Sequence, residues 1–414
     1  MTVQSQLQKA KRASRELVDL SPERCQQVLM SLADAIANSQ DSILSANKKD
    51  LSRMETSNPR YDRLMLTAER LVGIACDLRN IASLKSPLGE ILESRILDNG
   101  LKLEKVAVPI GVIGIVYEAR PNVTFDVFSI CFKAGNSCVL KGGSDAADSN
   151  RVIVEIIQKV LKENNCSVDA IQLLPPDRSA VEELLFAVDY VDVVIPRGSK
   201  ALIDFVRNHS KVPVIETGAG VVHLYVDKSA DQKSCKEIIL NAKTRRVSVC
   251  NALDTLLVHR DQIANLPGML APLADKEVVL FADGLSYKVL KGSYPQELLE
   301  DEERYGVEFL DYKMSVRSVD GIEMALEHIA QHSSRHSEAI VSQDSEAIER
   351  FLHFVDAAVV YANASTAFTD GSQFGLGAEI GISTQKLPPR GPMALREIMT
   401  YKWKVRGDGQ VRPA

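Results

Sequence analysis

From residue 106 onward, short apolar runs alternate with longer amphipathic stretches, and this alternation constrains the fold more than any other feature of the chain. The run "VAVPIGVIGIVY" is almost continuously apolar, as expected for a strand that is buried on both faces. Helical and strand-like stretches then follow each other to about residue 221 and resume after residue 250. This alternation predicts two α/β domains with doubly wound parallel sheets. Ligands bind such sheets at the carboxyl ends of the strands.

The flanking segments follow other patterns. Helical periodicity dominates the first ninety residues, where Ser21 is a predicted N-cap and Pro22 a first helical residue. Asn99-Gly100, between two short alternating runs, predicts a β-hairpin. A lone hairpin is only marginally stable, so we expect it to pack on something larger, such as another subunit. The basic, proline-rich segment after residue 384 is typical of an arm that packs elsewhere.

The composition excludes several classes of function. A chain of 414 residues is longer than one compact core usually supports, so two or three domains are expected. The net charge of -6 does not favour binding to nucleic acid or to an anionic membrane. No apolar run approaches the roughly 20 residues that span a bilayer, and the N-terminus lacks the core of a signal peptide. Its first fifteen residues are basic and poor in acid, so a transit peptide stays open.

The cysteines and histidines do not predict a metal site. The seven cysteines are widely spaced and form no CxxC pair, which indicates a reducing, cytoplasmic environment without a disulfide framework. By composition alone, each cysteine is most simply a small core residue. His328, His332 and His336 are spaced by four, but "SSR" interrupts the helix and no acidic residue or cysteine completes a ligand set.

Two glycine-rich turns are candidate cofactor sites. The first follows a predicted strand and consists of Lys141, Gly142, Gly143 and Ser144. The second places Gly198 and Ser199 at a helix start, where backbone N–H groups favour a phosphate. A third turn, "ETGAGVVH", lacks the last glycine of the dinucleotide fingerprint. Each turn alone is equally well explained as a tight turn of an α/β domain.

Two polar residues close to predicted strands are further candidates. Asn122 is expected to cap a helix, and its side-chain amide is a suitable donor to an oxyanion. Glu216 is predicted to end a buried strand in "VPVIETG". A carboxylate in such a place is either paired or functional.

The order of these residues resembles that of the aldehyde dehydrogenase superfamily. Asn122, Lys141, Gly198-Ser199, Glu216 and Cys250 follow each other as do that superfamily's oxyanion donor, ribose contact, phosphate loop, strand-end glutamate and nucleophilic cysteine. Within it, the chain is similar to the gamma-glutamyl phosphate reductases, also called glutamate-5-semialdehyde dehydrogenases, from about residue 17 to 403. The matching segments are "VYEARPNVT", "VPVIETGAG", "NAKTRRVSVCNALDTLLVH", "ALEHIAQHSSRHSEAI" and "FGLGAEIGISTQKLPPRGPMAL". The histidines thus fall on a family signature, which argues further against a metal.

The resemblance implies an aldehyde dehydrogenase-like α/β fold with three parts. Residues 1–92 and 108–221 are expected to form an NADPH-binding domain with a Rossmann-like sheet, and residues 222–385 a catalytic domain. Residues 93–107 and 386–414 are expected to be oligomerisation elements, which extend a sheet across a subunit interface. A homodimer or a homotetramer is expected.

The implied activity is the NADPH-dependent reduction of L-glutamate 5-phosphate to L-glutamate 5-semialdehyde with release of phosphate. This is the second step of proline biosynthesis from glutamate, and functional coupling to glutamate 5-kinase is expected. Cys250 would form a thioacyl intermediate, and the Asn122 side chain and the Cys250 backbone N–H would hold the oxyanion. Arg245 and Arg246, or a helix start after Cys250, would favour the thiolate.

The resemblance also implies two sets of binding residues. The expected cofactor-binding residues are Lys141, Gly142, Gly143, Ser144, Gly198, Ser199 and Glu308. The expected substrate-binding residues are Glu216, whose role is open, Arg246 and Arg390, with Arg197 as a further candidate. NADPH is favoured over NADH because residues 142–144 hold no carboxylate that would repel a 2′-phosphate, and Lys141 would attract it.

Two other functions are weighed against this one. A hydrolytic aldehyde dehydrogenase would use Glu216 to activate water and would not need phosphate. A non-catalytic relative would have lost its nucleophile, whereas this chain has both Cys250 and Asn122.

Overall fold

The chain forms two compact units in a computed structural model, which describes residues 2–58 and 60–412. The first unit comprises the chain up to Thr217, Gly375–Gly381 and the segment from Pro392. The second unit comprises Gly218–Phe374 and Ile382–Gly391. No helix within the described ranges is long and apolar enough to cross a bilayer.

The first unit begins with helices and continues with alternating strands and helices. Its elements in chain order are α1 (Val3–Leu17), α2 (Pro22–Asn38), α3 (Gln40–Leu51), α4 (Tyr61–Leu64), α5 (Ala68–Ser83), β1 (Ile91–Ile96), β2 (Lys102–Pro109), β3 (Val112–Tyr117), α6 (Asn122–Lys133), β4 (Ser137–Gly142), α7 (Ala147–Glu163), β5 (Ile171–Leu173), α8 (Arg178–Leu185), β6 (Val193–Arg197) and α9 (Lys200–His209). The predicted start of α2 is confirmed, because the Ser21 side chain accepts a hydrogen bond from the Arg24 backbone and Pro22 opens the helix.

A parallel sheet in the order β5-β4-β3-β6 forms the centre of the first unit. The chain runs from β3 through β4 to β5 on one side, and then crosses to β6 on the other side of β3. The carboxyl ends of β3 and β6 therefore flank a topological switch point, which is where doubly wound sheets bind ligands. Apolar side chains from α2, α5, α6 and α7 cover one face of the sheet, and side chains from α1, α8 and α9 cover the other.

A second sheet of the first unit combines the predicted hairpin with the C-terminal arm. Strands β1 and β2 are antiparallel, with Gly100 at φ +85° in the turn, so the hairpin is confirmed. The last strand of the chain, Met399–Arg406, pairs antiparallel with β2 and places Trp403 opposite Lys105. All six residues of β1 are exposed. Exposed apolar side chains of this sheet are Ile91, Leu92, Ile96, Tyr401, Trp403 and Val405.

The second unit repeats the alternation of strands and helices. Its elements in chain order are β7 (Val222–Val226), α10 (Gln232–Thr244), β8 (Leu253–His259), α11 (Leu266–Ala274), β9 (Val279–Ala282), α12 (Gly284–Leu290), β10 (Leu299–Glu300), β11 (Lys313–Val319), α13 (Ile322–His332), β12 (Ser337–Val341), α14 (Ser345–Phe354) and β13 (Val359–Ala362). Two-residue strands, β14 (Ile382–Ser383) and β15 (Gly391–Pro392), follow before the last strand, which is thus β16.

The seven strands from β7 to β13 form one parallel sheet in the order β10-β9-β11-β8-β7-β12-β13. Helices α10, α11 and α12 contribute to the apolar layer on one face, and α13 and α14 to the layer on the other. The predicted second α/β domain thus has the expected architecture, although the sequence patterns did not identify β7 and β11 as strands.

Candidate active site

Some of the predicted site residues belong to the first unit and others to the second. Most of those in the first unit lie at one edge of its parallel sheet. Because the strands are parallel, the carboxyl ends of β3, β4, β5 and β6 lie at the same edge. The residues that end these strands or follow them closely are Asn122, Lys141, Gly142, Gly143, Ser144, Gly198 and Ser199. The structure therefore places them around the switch point between β3 and β6.

Asn122 does not cap its helix as predicted. Pro121 occupies the N-cap position without a side-chain hydrogen bond, and Asn122 is the first residue of α6. Its side chain instead contacts the following turn of the same helix, where Nδ2 donates to Oδ2 of Asp126 at 3.0 Å. The two side chains meet because residues i and i+4 share a face of a helix. Burial raises the pKa of Asp126 to about 7, and the bond from Asn122 opposes that rise. One N–H of the amide remains for a second acceptor.

Lys141 is buried at the end of β4. Its Nζ donates to the backbone oxygens of Gly142 at 3.0 Å and Pro176 at 3.2 Å. Burial lowers the pKa of Lys141, while attraction to Asp177 and Asp145 raises it. The Lys141 ammonium thus provides a positive charge at the carboxyl edge of the first unit's parallel sheet.

The two glycines after Lys141 form a tight turn. A Cβ added to Gly142 would lie 2.3 Å from Nδ2 of Asn150, and one added to Gly143 would lie 2.4 Å from Oδ1 of Asp145. Ser144 then begins a short 3₁₀ helix. The turn therefore has no space for larger residues unless neighbouring side chains shift.

The start of α9 binds an anionic group of the protein itself. Ser199 is the N-cap, and its hydroxyl accepts a bond from the Leu202 backbone at 3.3 Å. The N–H and the hydroxyl of Ser199 donate to the Glu118 carboxylate at 2.9 and 3.2 Å. A Cβ added to Gly198 would lie 2.6 Å from the same carboxylate. This helix start therefore binds a carboxylate of the protein itself, and its role in holding a phosphate stays a prediction.

Glu216 follows an irregular segment that runs beside β6. The strand predicted before it is wrong, because one isolated bridge between Val194 and Val214 is all that forms there. Pro213 has no N–H to extend the ladder. Oε2 of Glu216 accepts a hydrogen bond from the Arg207 guanidinium of α9 at 3.2 Å. The carboxylate is thus paired, which is one of the two alternatives that its sequence context left open.

In the second unit, Cys250 lies in the loop between α10 and β8, at the amino end of that strand. No helix starts after it, so the expected support from a helix start is wrong. Two hydrogen bonds of the next residue, Asn251, fix the loop. Its Nδ2 donates to the Thr369 backbone oxygen at 3.0 Å. Its backbone oxygen accepts from the Thr366 hydroxyl at 2.8 Å. Arg245 and Arg246 are exposed in the same loop.

Gly220 connects this loop to Glu308. A Cβ added to Gly220 would lie 1.6 Å from the carbonyl oxygen of Cys250, so only glycine fits against the cysteine backbone. The N–H of Gly220 donates to Oε1 of Glu308 at 2.8 Å. The structure therefore brings Glu308 and the Cys250 loop together, although 58 residues separate them in sequence.

Most other cysteines are unsuited to nucleophilic chemistry. Cys25, Cys131, Cys138 and Cys235 are buried, which confirms that Cys131 and Cys138 are core residues. Burial raises the pKa of Cys25 and of Cys235 to about 12. Cys250 is half-buried, and none of the seven cysteines, all within the described residues, forms a disulfide. Cys250 thus differs from the buried thiols in its access to solvent.

Arg390 uses one of its three guanidinium nitrogens in an ion pair, and the other two have no hydrogen-bond partner among the described residues. Its Nη1 forms an ion pair with Oδ1 of Asp356 at 2.7 Å, and Lys386 binds the other oxygen at 2.8 Å. Hydrogen bonds from Lys386 and Arg390 lower the pKa of Asp356 to about 2. The buried Nε and Nη2 of Arg390 have no hydrogen-bond partner among the described residues. Two nitrogen donors of Arg390 are thus available for an anion.

The histidine segment is part of the second unit's interior. His328 and His332 lie on α13 with ring centroids 4.5 Å apart, and His336 follows the helix. Burial lowers the pKa of His328 to about 2, with further lowering by His223 and Arg317. Among the described residues, no group of three or more His, Cys, Asp and Glu side chains is arranged to hold a metal.

Comparison with known proteins identifies the family. Residues 1–276 match the aldehyde dehydrogenase family. The chain is 59% identical to gamma-glutamyl phosphate reductase of Pelodictyon phaeoclathratiforme, an alignment that covers 100% of this chain and 99% of that one. It is 58% identical to the protein of the same name from Chlorobium luteolum, again over 100% and 99% of the two chains. The chain belongs to the gamma-glutamyl phosphate reductase family.

A crystal structure from the same family supports the assignment. The gamma-glutamyl phosphate reductase of Thermotoga maritima superposes with a TM-score of 0.93 at 37% identity, covering 99% of this chain and 100% of that chain. The predicted family and the aldehyde dehydrogenase-like fold are thus confirmed, and the protein is an aldehyde dehydrogenase family enzyme.

Three residues that contact predicted site residues or their loops, one in the first unit and two in the second, were not predicted from the sequence. Glu118 occupies the start of α9, and Lys243 and Asp254 form a buried pair beside the Cys250 loop. Glu118 is 81 residues from Ser199 and Asp254 is 55 residues from its partner Phe309. One signal was available, because a charged residue within the apolar run "ALDTLLVH" needs a partner when it is buried.

Proposed function

We propose that this chain catalyses the NADPH-dependent reduction of L-glutamate 5-phosphate to L-glutamate 5-semialdehyde with release of phosphate, the second step of proline biosynthesis from glutamate. The observation that carries the proposal is the half-exposed Cys250 on a loop held by Asn251 and Gly220, in a chain that matches gamma-glutamyl phosphate reductases over its whole length. A cytoplasmic location and functional coupling to glutamate 5-kinase are part of the proposal.

The first chemical step belongs to Cys250. Its thiolate attacks the acyl carbonyl carbon to form a carbon–sulfur bond and a tetrahedral oxyanion, which collapses as the carbon–oxygen bond to phosphate breaks. Phosphate leaves with the electron pair of that bond, and a thioester remains on Cys250. The Asn122 side-chain amide and the Cys250 backbone N–H donate to the oxyanion. Exposed Arg246 favours the thiolate by its charge and is a proposed contact for the substrate.

Anion recognition is assigned to Arg390, with Arg197 as a further candidate. The unsatisfied Nε and Nη2 donors of Arg390 suit a carboxylate or phosphate oxygen, because a buried donor without a partner is costly. Nε of Arg197 is likewise buried without a partner among the described residues. Glu216 is a proposed contact for the substrate's ammonium group, and its pairing with Arg207 does not favour the role of a water-activating base.

The residues of the first unit fit a dinucleotide. The start of α9 already binds a carboxylate, and Lys141 offers an ammonium at the same edge of the sheet. Gly198 and Ser199 would hold cofactor phosphate, while Lys141, Gly142, Gly143 and Ser144 would hold the adenosine ribose and its 2′-phosphate. Glu308 of the second unit would contact the cofactor. When bound, the nicotinamide supplies the hydride that reduces the thioester, and the Cys250 sulfur then leaves as the aldehyde forms.

Phosphate dependence tests this function. NADP⁺ reduction with glutamate 5-semialdehyde is expected to require inorganic phosphate, because phosphate must release the acyl group from Cys250. The initial rate of NADPH formation with and without phosphate measures this requirement. Full activity without phosphate would contradict the proposal and would indicate a hydrolytic aldehyde dehydrogenase.

Lys141→Met is expected to weaken the preference for NADPH over NADH by about 10- to 100-fold, because a hydrogen bond to a charged group contributes roughly 1.5–3 kcal/mol. The ratio of kcat/KM for the two cofactors measures the change. Lys133→Met is a matched control, since Lys133 is another buried lysine of the first unit whose Nζ donates to a backbone oxygen, that of Ala82 at 2.9 Å. An equal loss with both cofactors in Lys141→Met would argue against a role in reading the 2′-phosphate.

The sheet of β1, β2 and β16 is proposed to extend across a subunit interface in a homodimer or homotetramer. Its strands β1 and β16 are open edges, and exposed apolar side chains lie on both. In the proposed division of the chain, residues 1–92 and 108–221 bind NADPH, residues 222–385 carry the catalytic cysteine, and residues 93–107 and 386–414 join subunits.

The double variant Trp403→Glu, Val405→Glu is expected to be a monomer, because it places charges on the apolar surface of β16. Light scattering coupled to size-exclusion chromatography measures the mass. Val411→Glu, at an exposed position beyond β16, is expected to keep the mass of the wild type. An unchanged mass in the double variant would show that this sheet does not join subunits.

A further inference from the structure

A buried ion pair lies in the second unit beside the Cys250 loop. Lys243 of α10 is 0% exposed and Asp254 of β8 is 2% exposed, with 3.9 Å between Nζ and Oδ1. Nζ of Lys243 has no hydrogen-bond partner among the described residues. Burial lowers the pKa of Lys243 and raises that of Asp254, and their mutual attraction opposes both shifts. Such a pair is a weak source of stability, because desolvation offsets the attraction.

Asp254 occupies an irregular position in the sheet. In the ladder between β7 and β8, Val222 pairs with Leu253 and His223 pairs with Thr255, so Asp254 is an extra residue at a β-bulge. A bulge changes the direction of a side chain. The Asp254 carboxylate accepts the backbone N–H of Phe309 at 3.1 Å. The backbone N–H of Val222 lies close enough to the same carboxylate to lower its pKa. One carboxylate thus faces two segments that are distant in sequence.

Both segments lead directly to the Cys250 loop. Phe309 follows Glu308, and Val222 lies two residues after Gly220. The Glu308 carboxylate accepts the N–H of Gly220, which in turn fits against the carbonyl oxygen of Cys250. Asp254, four residues after the cysteine, therefore faces the chain next to both ends of the Glu308–Gly220 hydrogen bond, at Phe309 and at Val222.

We propose that Asp254, neutralised by Lys243, is a positioning residue of the reaction, which fixes Gly220 and Glu308 against the Cys250 loop. Asp254 acts through these residues and contacts neither substrate nor cofactor. The inference rests on the proposed function, because the roles of Cys250 and Glu308 belong to it. Lys243 is needed since an ionised Asp254 binds the Phe309 N–H more strongly than a neutral side chain does.

Three variants test the role of the pair. Asp254→Asn and Lys243→Met each remove one charge, and the double variant Lys243→Met, Asp254→Asn leaves no isolated buried charge. All three are expected to lower kcat by about 10- to 100-fold, the size expected when catalytic groups are displaced by about 1 Å. The KM for NADPH is expected to rise, because Glu308 moves, while the KM for the semialdehyde changes little.

The control is Asp283→Asn. Asp283 also holds two segments of the second unit, since it accepts the backbone N–H groups of Ser286 and Ser318 at 2.8 Å, but it lies at the carboxyl ends of the strands, away from Cys250. We expect this variant to lose thermal stability and to keep kcat. The double variant is expected to melt no lower than Asp283→Asn, so a structural defect does not explain its lower kcat.

Two measurements test the proposal, steady-state kinetics and the alkylation rate of Cys250. Unchanged kcat and unchanged KM for NADPH in the folded double variant would overturn the proposal. Alkylation of Cys250 by iodoacetamide, followed by mass spectrometry of its peptide, requires no substrate or cofactor, and its rate is expected to change several-fold in all three variants. If the wild type shows no phosphate-dependent activity, the proposed function fails, while the alkylation rates still test whether Asp254 positions the loop. Equal alkylation rates in wild type and variants would contradict the positioning role in either case.

Discussion

Replacing Cys250 with alanine is expected to lower the turnover number by at least about 10⁴-fold, because the variant has no atom that can attack the acyl carbonyl. The buried thiols of Cys25, Cys131, Cys138 and Cys235 do not substitute for it, since they lie in the cores of the two units. Steady-state rates of phosphate-dependent NADP⁺ reduction measure the loss. Substitution by serine is expected to be almost as harmful, because an alcohol is far less ionised than a thiol at neutral pH.

The matched control for this variant is Cys76→Ala. Cys76 is an exposed cysteine on α5, so its loss tests whether any accessible thiol contributes. We expect this variant to keep the wild-type rate and to retain one thiol that reacts rapidly with iodoacetamide. Turnover above about one per cent in Cys250→Ala would rule out the covalent mechanism, given the losses usual for a missing nucleophile.

Asn122→Ala is expected to lower kcat by about 10²- to 10³-fold, the usual effect of removing one donor to an oxyanion. The KM for the semialdehyde is expected to change little, because the donor acts on charge that develops in the transition state. Asn122→Asp has nearly the same shape but no N–H, and it places a carboxylate next to Asp126, so it is expected to be at least as slow.

Asp126→Asn separates the two hydrogen bonds of the Asn122 amide. This variant keeps an acceptor for the existing 3.0 Å bond and removes the carboxylate beneath it. We expect a loss of kcat several times smaller than that of Asn122→Ala. If both variants lose the same activity, Asn122 acts through its bond to Asp126 and the oxyanion role is wrong.

The fold class was predictable from the sequence because it depends on the periodicity of apolar residues. That periodicity can be read from short stretches of the chain. Strand β3 is a continuous apolar run, and β8 is apolar apart from Asp254, Thr255 and His259; both strands are present as expected. Strands β7 and β11 escaped notice because they contain polar residues whose partners are remote in sequence. His223 of β7 is paired with Glu338 at 3.0 Å, and Arg317 of β11 lies over the ring of Tyr305. Such partners are created by the fold.

The site shows the same limit. The order of Asn122, Lys141, Gly198 and Cys250 along the chain indicated the superfamily, and the sequence segments around them indicated the family. The contacts of these residues were not predictable. The Glu118 carboxylate on the start of α9 and the bulge at Asp254 depend on which strands become neighbours, and that order does not follow from local patterns.

The pairing of β16 with β2 affects how the protein folds during translation. The partner strands are separated by 290 residues, from Pro109 to Met399. Translation at roughly 5–20 residues per second leaves one edge of β2 without its partner for on the order of 15 to 60 seconds. The second unit has all of its residues before the ribosome reaches β16, whereas the first unit does not. During that interval the charged side chains of Lys102, Glu104 and Lys105 on β2 oppose pairing with the strand of another nascent chain.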